Sequence, residues 1–251
     1  MNKRLIAIFA SLAAVVVLVV LSCVIFIIGD VTVRLSVGME SSPELREKII
    51  QDSKIAKYSS IFGLSEEKAT ANIESANPSI RVLDIERKAP NVVQINVAYR
   101  TPMLCALTRE GVYALLDRDL KVIRIVDAPQ TQDWVSRWNG VTLQDAREGV
   151  FIAEYDWLKA LLGAAEQVGL SKQRFGAFIV ELHTDETTAY LLTNTGATLC
   201  VYKNADAAQA AQLLRGAYNA YLNAQGETAH RRDGGYWRLG AAGWEWTPAL
   251  V

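Results

Sequence analysis

The apolar run from Leu5 to Ile28 constrains this chain more than any other feature of its sequence. It contains no charged residue and directly follows the cations Lys3 and Arg4. As an α-helix it would reach about 36 Å, which is enough to cross a hydrocarbon core of roughly 30 Å. Positive charge beside a span stays in the cytoplasm, so we expect residues 1–4 inside the cell and the chain after the span outside it.

A cleaved signal peptide is the competing interpretation of this run. The apolar region of a signal peptide is usually shorter, and a small-x-small cleavage site follows it. Gly29-Asp30-Val31-Thr32 provides no such site. Val20-Leu21-Ser22-Cys23 has the order of a lipoprotein processing box, but large Leu21 lies near the cut and apolar residues continue to Ile28. The sequence therefore favours an uncleaved transmembrane helix at residues 5–28.

The composition after the span limits the kinds of partner and site. The net charge of −1 argues against nucleic acid, since a nucleic-acid-binding domain normally carries a basic surface. Two of the three cysteines, Cys105 and Cys200, are single residues in apolar runs, without the paired spacing of a zinc or dithiol site. Buried free thiols are the simplest interpretation. A disulfide between them is the alternative that an extracytoplasmic location permits.

Residues 30–101 have the pattern of a small α+β domain. Val31 to Val37 alternates apolar and polar side chains, which predicts a strand with one buried face. Ser42 and Ser65 begin two stretches with apolar residues at helical spacing, and each serine is suited to cap a helix. Strands are predicted at 80–88 and 92–100. The order is therefore strand, helix, helix, strand, strand.

Residues 102–226 predict a second, mixed β domain with flanking helices. Period-two runs and turn residues predict strands at 103–108, 112–116, 121–126, 177–182, 188–193 and 197–202, and helices at 158–168 and 207–222. The last segment, 227–251, carries two short aromatic stretches, Tyr236–Leu239 and Trp244–Trp246, around Gly240-Ala241-Ala242-Gly243. Aromatic residues on facing strands and small residues between them predict a β-hairpin.

Several motifs carry a resemblance to a known family. They are Asn77-Pro78-Ser79-Ile80, Arg87-Lys88-Ala89-Pro90-Asn91, Val93-x-Ile95-x-Val97, Arg100-Thr101-Pro102 and the run from Val112 to Asp117. With them the chain resembles the FtsQ/DivIB family of bacterial division proteins, in which a POTRA domain follows a membrane anchor and precedes a β domain. The chain departs from the family at Tyr99, where an acidic residue is usual, and at Leu120, where a glycine is expected. The family ending Asp-x-Arg is not evident.

The resemblance implies a fold and a function. The fold is α+β, with an amino-terminal transmembrane helix, a POTRA domain of β-α-α-β-β order and a mixed β domain with flanking helices. The function is that of a septal division protein, which binds the extracytoplasmic parts of single-span partners of the FtsB/DivIC and FtsL kinds and helps regulate septal peptidoglycan synthesis. A POTRA-containing envelope transport or assembly factor and an anchored cell-wall-binding protein are the alternatives.

Catalytic chemistry has weak support in the sequence. His183-Thr184-Asp185-Glu186 has the residue types of a metal or base site, but it lies between two predicted strands, where polar turn residues are expected. Asp117-Arg118-Asp119 is a predicted turn for the same reason. No phosphate loop, nucleophile elbow or dinucleotide-binding motif occurs, and the chain has two histidines in all. We therefore expect no enzyme, no cofactor, no metal and no small-molecule substrate.

A partner-binding strand is predicted at Tyr236, Trp237, Arg238 and Leu239. An exposed sheet edge accepts an extended partner segment through main-chain hydrogen bonds, and neighbouring pockets select its side chains. The three tryptophans Trp237, Trp244 and Trp246 permit a second interpretation, since flat aromatic rings bind sugars and anchor interfaces. Packing of the hairpin on its own domain is favoured, because a terminal hairpin needs large side chains to hold it.

Overall fold

The computed structural model describes residues 12–17, 25–39, 42–129, 135–167, 172–203 and 206–249. The chain divides into two compact units, Met1–Tyr99 and Arg100–Val251. The sequence-based prediction placed this division at residues 101 and 102. Each unit has one sheet with helices packed against it, which confirms the predicted α+β class.

The predicted membrane span falls mostly outside the described residues. Residues 12–17 are helical, whereas 5–11 and 18–24, like the predicted cytoplasmic segment 1–4, are outside the described part of the chain. No helix among the described residues has both the length and the apolar character that crossing a membrane requires. The anchor at 5–28 therefore stays a prediction.

The amino-terminal unit has the predicted element order. Its elements are β1 (Asp30–Leu35), α1 (Pro43–Ser53), a 3₁₀ turn (Ile61–Gly63), α2 (Glu66–Ala76), β2 (Ile80–Lys88) and β3 (Val92–Tyr99). The three strands form one sheet in the order β1-β3-β2. β1 is parallel to β3, and β2 is antiparallel to it.

Serine caps and apolar stripes explain why the two helices form where the sequence predicts them. The Ser42 and Ser65 hydroxyls accept the backbone N–H groups of Leu45 and Lys68, which would otherwise lack partners in the first helical turn. Ile49 of α1 and Ile73 of α2 are fully buried in one cluster with the inner faces of the strands. The helices therefore cover one face of the sheet, and the other face is polar.

The carboxy-terminal unit is built on a nine-stranded sheet. Its strands are β4 (Leu104–Thr108), β5 (Tyr113–Leu116), β6 (Val122–Val126), β7 (Ser136–Leu143), β8 (Ile179–Thr184), β9 (Thr188–Thr193), β10 (Thr198–Tyr202), β11 (Tyr236–Gly240) and β12 (Gly243–Thr247). The strand order is β12-β11-β10-β9-β8-β7-β4-β5-β6. The helices are α3 (Asp156–Gln167), α4 (Lys172–Phe178) and α5 (Ala207–Asn223).

The main core of this unit lies between the sheet and its helices. α3 and α5 pack on each other, and α5 also contacts β10 and β11. Leu158, Leu161, Leu162, Leu214 and Ala217 on the helices bury their side chains among Leu104, Trp138, Leu182, Leu191 and Leu199 on the strands. The segment 227–251, predicted as a separate hairpin, adds β11 and β12 to the same sheet.

The main differences from the prediction are β7 and α4, which were not predicted, and the start of β8. β7 was not predicted, because Trp138 and Leu143 are its only large apolar residues that are fully buried. Its buried Ser136 hydroxyl donates a hydrogen bond to the Ile179 carbonyl oxygen at 2.6 Å, which ties β7 to the start of β8. The strand predicted at 177–182 begins at Ile179, since Ala177 and Phe178 end helix α4.

The structure also decides between the alternatives for Cys105 and Cys200. Both are buried, and neither forms a disulfide. Cys105 lies on β4 and Cys200 on β10, which are separated by β7, β8 and β9. At about 4.8 Å between neighbouring strands, the two strands are roughly 19 Å apart. A disulfide requires Cα atoms within about 7 Å, so the alternative of a Cys105 to Cys200 disulfide is excluded.

Candidate partner-binding site at the carboxy-terminal sheet edge

The two edges of the nine-stranded sheet differ in how they are covered. The loop that includes residues 148–152 lies along β6: the Val122 N–H donates to the Val150 carbonyl oxygen at 2.9 Å, and the Ile125 N–H donates to the Glu148 carboxylate at 3.1 Å. Among the described residues, no strand pairs with the outer side of β12. A covered edge cannot add a strand, whereas an open edge presents unpaired backbone groups. The open edge of this sheet is β12.

β11, which contains the predicted partner-binding residues, is an internal strand. It is parallel to β10, with Tyr236 opposite Thr198 and Trp237 opposite Leu199. It is also antiparallel to β12, with Arg238 opposite Glu245. The prediction that Tyr236–Leu239 forms the accepting edge therefore needs correction, because β12 occupies that side. The open edge lies one strand further out, at Gly243–Thr247.

The three tryptophans of the hairpin hold it on the domain. The Trp237 side chain is buried in the main core, and its indole N–H donates to the Arg231 carbonyl oxygen at 3.2 Å. The Trp246 indole N–H donates to the Gly234 carbonyl oxygen at 2.9 Å. Trp244 packs on α5 so closely that a Cβ atom built on Gly216 would lie 2.2 Å from its Nε1. These contacts support the packing interpretation over sugar binding.

Tyr236 and Arg238 point away from the core, because side chains alternate along a strand and Trp237 between them is buried. On this outer face they line an open groove of about 590 Å³. The groove extends across four strands and one turn and is lined by Glu181, His183, Asp185, Tyr190, Leu192, Thr198, Tyr236 and Arg238. Of the four predicted site residues, Tyr236 and Arg238 therefore line the groove next to the open edge, Leu239 is exposed near the end of β11, and the Trp237 side chain lies in the core.

One wall of the groove carries a carboxylate that is fixed by hydrogen bonds. Asp185 accepts the Tyr190 hydroxyl at 2.6 Å and the backbone N–H groups of Thr187 and Thr188 at 2.8 and 2.7 Å. The Tyr190 hydroxyl first, and then the two N–H groups, lower the pKa of Asp185 to about 2. The same hydrogen bond raises the pKa of Tyr190 above its ordinary value. Asp185 is therefore a permanent negative charge at physiological pH.

The opposite wall of the groove is cationic. The Arg238 guanidinium lies 5.1 Å from the centre of the Tyr236 ring, in a cation–π contact. It also faces the Cys200 thiol, whose pKa is raised by burial and, to a smaller extent, lowered by this guanidinium. A raised thiol pKa keeps Cys200 protonated and unreactive at neutral pH. The groove is therefore suited to a polar segment that carries charges of both signs.

The two polar motifs considered for catalysis, at residues 183–186 and 117–119, lie in a strand end and in turns. His183 and Thr184 are the last two residues of β8, with His183 beside Tyr190, and Asp185 and Glu186 lie in the following turn. Only the second half of the quartet is therefore a turn. Asp117 is buried, and its carboxylate accepts the backbone N–H groups of Asp119 and Lys121, both at 2.9 Å. Across the part of the chain that the structure describes, no three His, Cys, Asp or Glu side chains form a group suited to a metal ion.

Sequence reasoning missed Glu181 and Tyr190 as parts of this site. Polar residues alternate with buried ones in β8, β9 and β11, and this alternation is visible in the sequence. It shows that each strand has a polar face. The pairing of these strands, which brings their polar faces together, is set by contacts between distant segments.

The fold defines a class of protein: a mixed α+β chain in which a POTRA domain precedes a unit with a large β-sheet. Residues 45–99 match a family model described as POTRA domain, FtsQ-type. The chain therefore carries a POTRA domain of the FtsQ type, and the match supports the assignment to the FtsQ/DivIB family. No curated protein matches the chain.

Proposed function

We propose that this chain is a single-span division protein of the FtsQ/DivIB type that acts by binding rather than by catalysis. The FtsQ-type POTRA domain at residues 45–99 supports this function. The uncharged run from Leu5 to Ile28 supports a membrane anchor with a cytoplasmic amino terminus. The anchor and the POTRA domain localise the protein at the division septum, and the large sheet binds its partners.

The open edge of the nine-stranded sheet is the single observation that carries the binding mechanism. β12 has a neighbour on one side only among the described residues, whereas a loop covers β6 at the other edge. An extended segment of a partner pairs with β12 by main-chain hydrogen bonds. The paired segment lies about 10 Å from β11 and roughly 19 Å from β9. Residues of the partner beyond that segment therefore extend over the sheet to the groove, where their charged groups meet Arg238 and Asp185. This face selects among partners by charge.

The partners are the extracytoplasmic parts of other single-span division proteins of the FtsB/DivIC and FtsL kinds. Such proteins emerge from the same membrane, so a sheet held by an anchor meets them at a high effective concentration. The assembly scaffolds the divisome and regulates septal peptidoglycan synthesis. No nucleic acid, cofactor or small-molecule substrate takes part.

Hydrogen exchange tests the binding mechanism directly. The full chain in lipid nanodiscs is compared with and without the extracytoplasmic segment of an FtsB-like protein. We expect the backbone amides of β12 to exchange at least about tenfold more slowly in the complex, because they gain ladder hydrogen bonds. The amides of β6 serve as the internal control and should not change. Unchanged exchange in β12, or protection confined to β6, rules out pairing at this edge.

A fluorescent fusion and a depletion strain test the cellular function. We expect enrichment of the fusion at midcell and unseptated filaments or chains after depletion. Uniform membrane fluorescence contradicts the septal role. A secretion defect without a division defect favours the envelope transport or assembly factor, and altered wall binding in pull-downs favours the cell-wall-binding protein.

A further inference from the structure

The loop between α1 and α2 exposes two large aromatic side chains. Tyr58 is 78% and Phe62 is 70% exposed. A single exposed aromatic residue needs no explanation, but these two lie on one short loop. Tyr58 also has a φ of 68°, a left-handed conformation that L-residues rarely adopt. No burial of its ring compensates for this strain.

This loop is fastened to the last residues of the apolar run. The Tyr58 N–H donates to the Ile28 carbonyl oxygen at 2.8 Å, and the Ile61 N–H donates to the Phe26 carbonyl oxygen at 2.9 Å. An antiparallel bridge joins Ile27 to Ser60. The loop and the end of the apolar run are antiparallel. Phe62 therefore lies nearer to the rest of the run than Tyr58 does.

The ring contacts place the two aromatic residues at different levels. Phe62 lies against Phe26, with ring centres 5.2 Å apart, beside the point where the apolar run leaves this unit. Tyr58 lies level with Ile28, about two residues further from that point. Phenylalanine is fully apolar, whereas tyrosine has an apolar ring and a polar tip suited to the headgroup level of a bilayer. The order of the two residues matches the order of these layers.

We propose that residues 54–63 form a membrane-interface loop that inserts Phe62 and Tyr58 into the outer leaflet, an inference that rests on the anchor in the proposed function. Phe62 enters the upper acyl chains, and Tyr58 lies among the headgroups. The exposed Lys54 on the same loop meets lipid phosphates. The loop and the anchor then attach the POTRA domain at two points, which fixes its orientation on the membrane as well as its distance.

A bilayer is favoured over a protein partner because the loop adjoins the apolar run. The run crosses the membrane in the proposed function, so its end at Ile25 to Ile28 lies at the interface. Hydrogen bonds hold Tyr58 and Ile61 to that end of the run. The loop therefore lies at the level where the run emerges from the membrane. Any partner protein at this site has to displace lipid that is already present.

Spin-label accessibility in vesicles tests the loop. The full chain, with its three cysteines changed to alanine, is reconstituted in phosphatidylcholine and phosphatidylglycerol. A nitroxide is attached through Gly63→Cys, where a Cβ atom meets nothing within 4 Å. A second label is attached at Val37→Cys, two residues beyond the carboxyl end of β1. The six residues of β1 place this end about 20 Å from Asp30, which lies beside the loop. A third label at Val16→Cys reports on the apolar run.

We expect the ratio of oxygen collisions to nickel-chelate collisions to be higher at position 63 than at position 37, because apolar oxygen enters the headgroup/acyl boundary where an interfacial segment lies and the charged chelate stays in water. The double variant Tyr58→Ser/Phe62→Ser should remove this difference. Leu83→Ser, which changes a residue that is 55% exposed on β2 of the same unit, is the matched control and should leave it unchanged.

Other outcomes overturn the inference and locate the failure. A water-like signal at position 63 together with a lipid-like signal at position 16 rejects the loop and leaves the anchor intact. A water-like signal at both positions rejects the anchor and the loop together. A signal at position 63 that is shielded from both oxygen and nickel shows that a protein surface, such as a second copy of the chain, covers the loop instead of lipid.

Discussion

The Arg100 guanidinium donates a hydrogen bond to the Asp117 carboxylate, and the two side chains are only 2% and 5% exposed. Arg100 is the first residue of the Arg-x-Pro motif that follows the POTRA domain. Asp117 directly follows β5, the second strand of the first hairpin of the large sheet. Two motifs that resemble the FtsQ/DivIB family in sequence therefore meet in one buried ion pair. A second carboxylate, that of Asp119, lies 3.7 Å from the same guanidinium.

Replacing Asp117 by asparagine should destabilise the carboxy-terminal unit strongly. The amide has nearly the same shape, but it leaves the buried charge of Arg100 without its closest counter-charge, which costs about 3–5 kcal/mol. Urea unfolding with fluorescence detection measures the free energy of unfolding. The double variant Arg100→Met/Asp117→Asn should regain part of the loss, since it buries no unbalanced charge.

The control for this pair is an exposed one. Arg137 and Glu181 lie 3.8 Å apart, and their side chains are 43% and 39% exposed. Arg137→Ala should change the free energy of unfolding by no more than about 0.5 kcal/mol, because solvent screens exposed pairs. Equal losses from Asp117→Asn and Arg137→Ala contradict a special role for the buried pair.

At Leu120, substitution by glycine should be less destabilising than substitution by alanine, which is the reverse of the usual order. It has a φ of 58° in the turn where the family has glycine, and its side chain is fully buried. Both Leu120→Ala and Leu120→Gly lose the buried side chain, which costs about 2–5 kcal/mol. Glycine adopts the left-handed conformation without strain, so Leu120→Gly should be about 1 kcal/mol more stable than Leu120→Ala.

Leu116 is the matched control for this comparison. It is equally buried and lies in the preceding strand β5, where the backbone is extended. Here Leu116→Gly should be less stable than Leu116→Ala by about 0.5–1 kcal/mol, the ordinary cost of glycine in a strand. The same order of the two variants at both positions shows that the turn at Leu120 stores no strain.

Gly216→Ala should loosen the carboxy-terminal hairpin. The new Cβ atom meets the Trp244 indole at 2.2 Å, so the ring and β12 have to move away from α5. Overpacking of this kind costs about 1–3 kcal/mol. We expect faster amide exchange across Tyr236–Thr247 and weaker partner binding, which hydrogen exchange and calorimetry measure.

Gly163→Ala is the control that tests whether replacing any helix glycine by alanine loosens the carboxy-terminal hairpin. Gly163 lies in α3, and a Cβ atom built on it meets nothing within 4 Å. This variant should gain about 0.5–1 kcal/mol, because alanine favours the helix more than glycine does. Hairpin exchange and partner affinity should stay at wild-type values. A similar loss in both variants argues against the contact with Trp244.

Tyr190→Phe should raise the pKa of Asp185 from about 2 toward its ordinary value of 3.8, since it removes the hydrogen bond that lowers this pKa most. A lowered carboxyl pKa stabilises the fold above pH 3.8 and loses this effect as the pH falls toward 2. The variant should therefore be less stable than wild type at neutral pH and approach it in acid. Carbon NMR of the carboxyl group measures the titration, and Tyr202→Phe is the control.

Local patterns explain why the POTRA domain was predictable in detail. Ser42 and Ser65 mark helix starts by their own chemistry, and β3 alternates without interruption from Val92 to Tyr99. Each signal lies within the element that it defines. The match at residues 45–99 confirms the predicted FtsQ-type POTRA domain, whereas the sheet order β1-β3-β2 is seen only in the structure.

Long-range pairing explains why the candidate site was predictable only in part. The hairpin of β11 and β12 follows from aromatic residues around a short turn, and the structure contains it. Its orientation depends on the parallel pairing of Tyr236 with Thr198, residues far apart in sequence. No local pattern records that pairing, so the sequence does not show which strand of the hairpin is the open edge, and the predicted residues Tyr236–Leu239 lie on the internal strand. β7 was missed for the same reason, since neighbouring strands rather than its own composition stabilise it.

The unequal edges of the large sheet also determine how many strands it accepts. Within the described residues, β12 is open and β6 is covered by the loop that includes Glu148 and Val150. A sheet with two open edges propagates, because each added chain presents a new edge to the next. A sheet with one open edge is saturated by a single added strand. For the proposed pairing at β12 we therefore expect one added strand per sheet, and for two copies that meet edge to edge we expect a closed pair rather than a fibre.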